Sequence, residues 1–186
     1  MRRLLHVIKS AVKVILTGDF SPARFWSIRQ KIPQSNRFTR RIYSFLYARY
    51  LTLHNASVPI ESRIASCPSF PHGISGIFIS AGAEIGRNCT IFHQVTIGSN
   101  TLEGSKNQGA PKIGDNVFIG CGAKIIGGVH VGNNACIGAN CVVTHDIPDN
   151  CTVVMPAPRI IEHHRSNPPE FIGWADYVSR KGESAS

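Results

Sequence analysis

The chain predicts a mainly-β fold, a parallel β-helix wound as a three-sided prism of hexapeptide repeats, with short α-helices ahead of it. Three observations predict it. An aliphatic residue returns every sixth position, at Ile85, Ile91, Ile97 and, after one interruption, Ile113, Ile119, Ile125, Val131, Ile137 and Val143. Glycine follows that residue directly at Gly86, Gly98, Gly114, Gly120, Gly132 and Gly138. The fifth column is small or branched, with Cys89, Val95, Val117, Ala123, Val129, Ala135 and Cys141. A period of six is too long for a helix face, and period-two sandwich alternation would not hold glycine in the same register. Three hexads complete a coil of about 18 residues, and coils stack about 4.8 Å apart as neighbouring strands do. Two inward columns fill a narrow core, and the glycines are read as tight corners that need a residue without a side chain. The period does not set the hand, since ordinary parallel crossovers are right-handed.

The elements divide the chain into a basic helical segment over 1–57, the solenoid over 58–160 with a protruding loop at 99–112, and a tail over 161–186. Charge separates the first from the rest. Residues 1–50 hold eleven Lys or Arg and one acid, Asp19, so the net charge of +9 originates there. One helix is expected from Met1 to Leu16 and a second from Arg40 to Leu53, the latter with Ile42, Phe45, Leu46, Tyr50 and Leu51 on one side. Lys9 and Lys13 interrupt the first apolar stretch and no small-residue cleavage site follows, which argues against a signal peptide. The stretch is also too short and charged to span a bilayer. Two accounts remain for these helices: packing on the base of the prism or on a neighbouring copy, or contact with an anionic membrane surface. Nucleic acid is set aside, because no recognition motif accompanies the basic run.

Cys67, Cys89, Cys121, Cys136, Cys141 and Cys151 contain no C-x-x-C spacing, and two of them fall in the inward column as compact hydrophobes. Free thiols imply a reducing, cytoplasmic setting without a metal site.

The period breaks at two places. Phe70–Gly76 has seven residues and Ile77–Glu84 eight, an excess of three over the six-residue rule, which is read as a bulge out of the wall. His72 is third after Phe70 and His93 third after Ile91, 21 positions apart, so the count puts both in one column on adjacent coils. The second break, Ser99–Lys112, reads as an exposed loop; one this long within a regular solenoid is usually functional or disordered.

Four segments carry a resemblance: Phe70-Pro71-His72-Gly73, Thr90 to Gly98, Ile113 to Ile125, and Ile137-Gly138-Ala139-Asn140. Over about Val58 to Ile160 the chain resembles the left-handed β-helix acyltransferases, and among them serine acetyltransferases and O-acetyltransferases of surface-polysaccharide pathways. The resemblance implies a left-handed prism, a homotrimer, acetyl-CoA as donor, and a histidine as general base for transfer to a hydroxyl. It points to His72 as that base, with His93 as the other candidate. Donor contacts would fall on Cys121, Gly122, Ala139 and Cys136, and the loop at 99–112 would cover the acceptor at a subunit boundary.

Three departures bear on the acceptor. Where serine acetyltransferases have a second histidine before Pro-Lys-Ile, this chain has Ala110; where they have an aspartate before the first coil, the nearest match is Ser57; and residues 1–57 are shorter than the helical N-terminal domain of typical bacterial members. The favoured acceptor is therefore a sugar hydroxyl of a surface glycan or its precursor, with serine as the alternative. Two readings of other classes are a catalytically inert scaffold and a carbonic anhydrase. The latter needs three zinc histidines, and His72, His93 and His130 lack the spacing.

Overall fold

The computed structural model describes residues 21–162 and 172–183. The helix expected over Met1–Leu16 lies outside them. After Met155 the chain divides into two compact units.

The first unit opens with helices α1 (Pro22–Gln34) and α2 (Arg37–Leu53). Ser21 caps α1, its side chain accepting from the Arg24 amide at 3.4 Å, and Pro22 opens the helix where its missing N–H costs nothing. Asn36 caps α2 by accepting from the Thr39 amide at 3.0 Å. Sequence reading missed α1, because its apolar residues are spread among Arg29, Lys31 and two prolines, and it began α2 three residues late.

Twelve short strands follow among the described residues: β1 (Arg63–Ile64), β2 (Phe78–Ile79), β3 (Glu84–Ile85), β4 (Thr90–Ile91), β5 (Thr96–Gly98), β6 (Lys112–Ile113), β7 (Phe118–Ile119), β8 (Lys124–Ile126), β9 (His130–Val131), β10 (Cys136–Ile137), β11 (Val142–Val143) and β12 (Thr152–Val153). They form three parallel sheets of four, in the orders β1-β3-β6-β9, β4-β7-β10-β12 and β2-β5-β8-β11. From β2 to β11 every third strand pairs, which is the three-sided prism the repeat predicts. Register follows the count: Lys112 pairs with His130, 18 positions on. Across the loop Thr96 pairs with Lys124, 28 positions on, so the insertion adds ten residues without disturbing the stack.

Both inward columns are where the repeat puts them. Ile91, Ile97, Ile119, Ile125, Val131 and Ile137 are 0% exposed, as are Val95, Ala123 and Ala135. The helices close one end of this core. Phe25 stacks on Tyr47 and Tyr50 with ring centroids 5.0 and 4.8 Å away, and the Tyr47 hydroxyl donates to the Val58 carbonyl at 2.6 Å. Arg29 is buried beside Trp26, and its Nη2 donates to the carbonyls of Pro59, Ile60 and Ser62 at 3.2, 3.2 and 2.6 Å. A guanidinium there satisfies carbonyls that the first coil leaves without strand partners.

Two expectations are corrected. The glycines after the aliphatic residue do not make the corners, and none of those six has positive φ. At the corners that follow the β1-β3-β6-β9 and β4-β7-β10-β12 sheets the turn is at the fourth position, occupied in left-handed conformation by Asn88, Gln94, Asn116, Gly122, Asn134 and Asn140. Asparagine tolerates that conformation and bonds its neighbours. Asn88, Asn116, Asn134 and Asn150 form a ladder, each side-chain amide donating to the next carbonyl oxygen at 2.9 to 3.0 Å. The glycines serve close approach between coils: a Cβ on Gly86 would lie 2.5 Å from the Gly114 carbonyl oxygen.

The second correction concerns the excess residues. Ser69 bridges Thr90 and Phe78 pairs with Thr96, so all three extra residues lie between Phe70 and Phe78, and Ile79 resumes the inward column. The segment does not simply bulge outward, because Ile74 and Ile77 are 0% exposed. They fill the core beneath the helices.

Gly86→Ala should destabilise the fold by about 1–3 kcal/mol, since the new methyl meets backbone. Gly98→Ala should be nearly neutral, because its methyl would meet only the Ile126 Cδ1 tip at 3.0 Å. Thermal melts of the two variants check this, and equal losses would restore the corner reading. Burial pushes the Tyr47 and Tyr50 phenols up to about 12 from 10.0. Their folded values exceed the unfolded ones, so their contribution is complete below about pH 10 and is lost as pH rises through 12. Urea midpoints should therefore fall across that window, and less so in Tyr50→Phe.

Candidate active site

The corner between the β4-β7-β10-β12 and β2-β5-β8-β11 sheets brings one column of residues together. His72, His93, Cys121 and Ala139 each stand third in their hexads there, on successive coils. The Ser69–Thr90 bridge places His72 opposite His93. Their rings meet edge to face, centroids 5.4 Å apart and planes at 80°. Phe92 flanks His72 at 5.4 Å and continues to Phe118 at 5.2 Å, an apolar wall beside the pair.

The two imidazoles differ in environment. His72 is exposed on the lengthened segment, whereas His93 is half-buried and its Nδ1 is shielded without a hydrogen-bond partner. Behind them the backbone is fixed. The Gly122 amide donates to the His93 carbonyl at 3.1 Å, the Asn140 amide to that of Cys121 at 2.8 Å, and the Gln94 amide to that of Ser75 at 2.9 Å. Lys124 Nζ donates to the Gln94 and Gly122 carbonyls at 2.8 and 2.9 Å, which puts a cation against this corner. Among the described residues neither imidazole bonds a carboxylate. Ser57 pairs through its amide and carbonyl with Ile77 and Ile79 at 2.8 and 2.7 Å in the adjacent sheet edge.

Cys121 and Ala139 lie on the corner, and Gly122 takes the left-handed turn, where a Cβ would fall 2.2 Å from Asn140 Oδ1. Cys136 is elsewhere, in β10 between Phe118 and Thr152 on the flat face of its sheet. His130 lies on a different sheet beside Lys112. It does not join the other two histidines, and the described residues contain no group of three metal-type ligands. Burial raises the Cys67 and Cys89 thiols above their ordinary value.

His54 was missed. It ends α2, its ring packs on Tyr50 at 4.5 Å, its Nδ1 is 3.4 Å from Ser75 Oγ, and its carbonyl accepts from the Gly76 amide at 3.0 Å. It thereby tethers the segment that holds His72. Only the chain's return past the helix end brings them together, so no local signal marked it.

The loop is narrower than expected. Asn100 and Gly109 exchange backbone bonds at 2.8 Å, closing a neck around residues 101–108. It leaves from the next corner, and Asn107 lies against that same corner one coil on, where its carbonyl accepts from the Gly128 amide at 3.0 Å and its side chain bonds Thr144. Ala110 lies against Gly82, where a Cβ on the glycine would come within 3.0 Å of the Ala110 Cβ.

Comparison with known proteins places the chain beside bacterial transferases of the same repeat. The bacterial transferase hexapeptide family (six repeats) matches residues 110–145. Serine acetyltransferase of Synechococcus elongatus is 32% identical over 136 residues, covering 73% of this chain and 52% of that protein. The Mycobacterium tuberculosis enzyme is 36% identical over 100 residues, 54% of this chain and 43% of its own length. The chain thus spans about half the length of the curated relatives it matches. Soybean serine acetyltransferase complexed with serine superposes with a TM-score of 0.56 at 32% identity, over 72% of this chain and 53% of that one. Serine acetyltransferase of Neisseria gonorrhoeae in complex with serine gives 0.58 at 26% identity, over 86% and 70%. The likeness extends to the left-handed winding of the prism.

Proposed function

From a left-handed solenoid of hexapeptide repeats that is serine acetyltransferase-like along most of its length, we propose an acetyl-CoA-dependent O-acetyltransferase. The observation that supports it is the His72–His93 pair, edge to face at 5.4 Å on an outward corner whose backbone is fixed from behind. In this reaction the acceptor oxygen attacks the thioester carbonyl carbon, a C–O bond forms, the C–S bond breaks, and the acceptor's proton ends on the CoA sulfur. His72, exposed and next to an apolar wall, takes that proton as general base and returns it to the thiolate. His93 orders the ring of His72 by edge contact and is the second candidate for the base. Backbone amides at the corner stabilise the oxyanion. The donor's pantetheine arm runs along Cys121, Gly122 and Ala139, where small side chains leave backbone within reach. Cys136, on the sheet face beside this corner, contacts the donor only if the arm spreads onto β10.

Serine is the acceptor that the comparisons favour, through relatives named for it. A glycan hydroxyl is the second reading, supported by Ala110 and Ser57 standing where serine acetyltransferases have histidine and aspartate. The free thiols Cys67 and Cys136, both exposed, suit a reducing compartment such as the cytoplasm.

The site needs neighbouring copies. One outer face carries the ion pairs Arg63–Glu84 and Lys112–Glu84, whereas the other two expose Phe78 and Val142, and Phe118, at 43%, 60% and 42%. These two apolar faces meet at the histidine corner. A trimer that buries them would wall the histidines and bring a neighbour's loop, which leaves from a different corner, over them.

With purified protein and acetyl-CoA, thiol release should be seen with serine or with a sugar acceptor, and the panel decides between them. His72→Ala should slow turnover by about 10²-fold or more and leave acetyl-CoA affinity nearly unchanged. An active His72→Ala beside a dead His93→Ala would move the role to His93. Sedimentation at micromolar concentration should give three times the chain mass, and Phe118→Glu should lower both that mass and turnover. A fully active monomer would remove the case for a shared site.

A further inference from the structure

The outward face of α2 is unlike the rest of the surface. Phe38 and Phe45 stand 59% and 63% exposed, on the side of the helix opposite Leu46, Tyr47 and Tyr50, which are at most 4% exposed. Phe38, Arg41, Phe45 and Arg49 follow one another at spacings of three and four, so they form one stripe, with Arg37 beside Arg41. All three arginines are exposed, none has an acidic partner among the described residues, and α2 contains no Asp or Glu. Arg40 is turned aside, its Nη2 donating to the Pro33 carbonyl at 3.3 Å. The stripe therefore alternates aromatic rings with free guanidinium groups.

We propose that this face of α2 docks on an anionic phospholipid surface, lying along it and not crossing it. Among the described residues no helix is long and apolar enough to cross a membrane. Two phenylalanines kept out of the core have nothing to gain from water, and burying them at the acyl boundary removes that area from it. The arginines between them reach outward to lipid phosphates while their stems lie on the apolar surface. Charge selects this occupant. A second copy of the face would set arginine against arginine, and no base-reading motif accompanies the helix. Arg2, Arg3, Lys9 and Lys13 precede it in the same quarter of the chain and would add to the attraction. The proposal is independent of the acceptor, because every residue it uses lies before the first coil.

The full chain should pellet with vesicles of phosphatidylcholine and phosphatidylserine at about 0.01 M salt and be released at about 1 M, where screening shortens to roughly 3 Å. Vesicles of phosphatidylcholine alone should leave it in solution. Phe38→Ser with Phe45→Ser, and separately Arg37→Gln with Arg41→Gln and Arg49→Gln, should each weaken binding by about tenfold or more with an unchanged melting curve. Should either set unfold the chain, quenching of Phe45→Trp emission by brominated lipid reads insertion directly. The proposal is overturned if the intact chain ignores anionic vesicles at low salt, or if both variant sets bind as it does. It is equally overturned if sedimentation shows the face buried between copies, with a mass that the phenylalanine substitutions halve.

Discussion

Everything in this molecule is subordinate to the distance between coils. Parallel strands on one face must lie about 4.8 Å apart, and each coil returns to that spacing at three corners as well as along three faces. At Gly86 the backbone of the next coil comes so near that a Cβ would sit 2.5 Å from a carbonyl oxygen. At two of the three corners the chain turns within that spacing at the fourth position by entering the left-handed region, which asparagine and glycine accept at least cost. Along one corner the asparagine side chains then bond one to the next, Asn116 and Asn134 finding identical partners above and below. The same spacing thus selects the glycine column, the asparagine ladder and the small fifth column.

The histidine corner uses that regularity and departs from it once. His93, Cys121 and Ala139 share one register position on successive coils, undisturbed by the inserted loop, and the carbonyls of His93 and Cys121 accept amides of the following coil. His72 is different, since it stands on the nine-residue passage from Phe70 to Phe78. That passage is held by two buried isoleucines within and by His54 above. The helical cap therefore has a hand in placing an exposed candidate side chain, through a contact that no repeat count contains.

The surface is divided as sharply as the core is uniform. One face of the prism is closed by Arg63, Glu84 and Lys112, exposed pairs that add little stability but make that face unsuited to burial. The remaining faces and the outward side of α2 leave aromatic rings in water. Lattice-free regularity explains none of this, because outward positions are unconstrained by stacking. Their chemistry answers to what lies outside the chain.

The sequence by itself determined the solenoid, its strand register and both inward columns, because a period of six maps one residue class to one place on every coil. It also brought His72 and His93 together, since 21 positions equal one coil plus the three surplus residues wherever those fall. Period alone left the meaning of the glycines undecided: a residue required at a corner and one required for close approach leave the same mark. Only the tertiary structure separated them, through the sign of φ. It alone placed Cys136 on the flat sheet face beside the corner, turned Ile74 and Ile77 of the lengthened passage into the core, and tied His54 to that passage and Arg29 to the first coil. Those contacts join residues whose separation follows no repeat, so they arise only when the helices fold back onto the end of the prism.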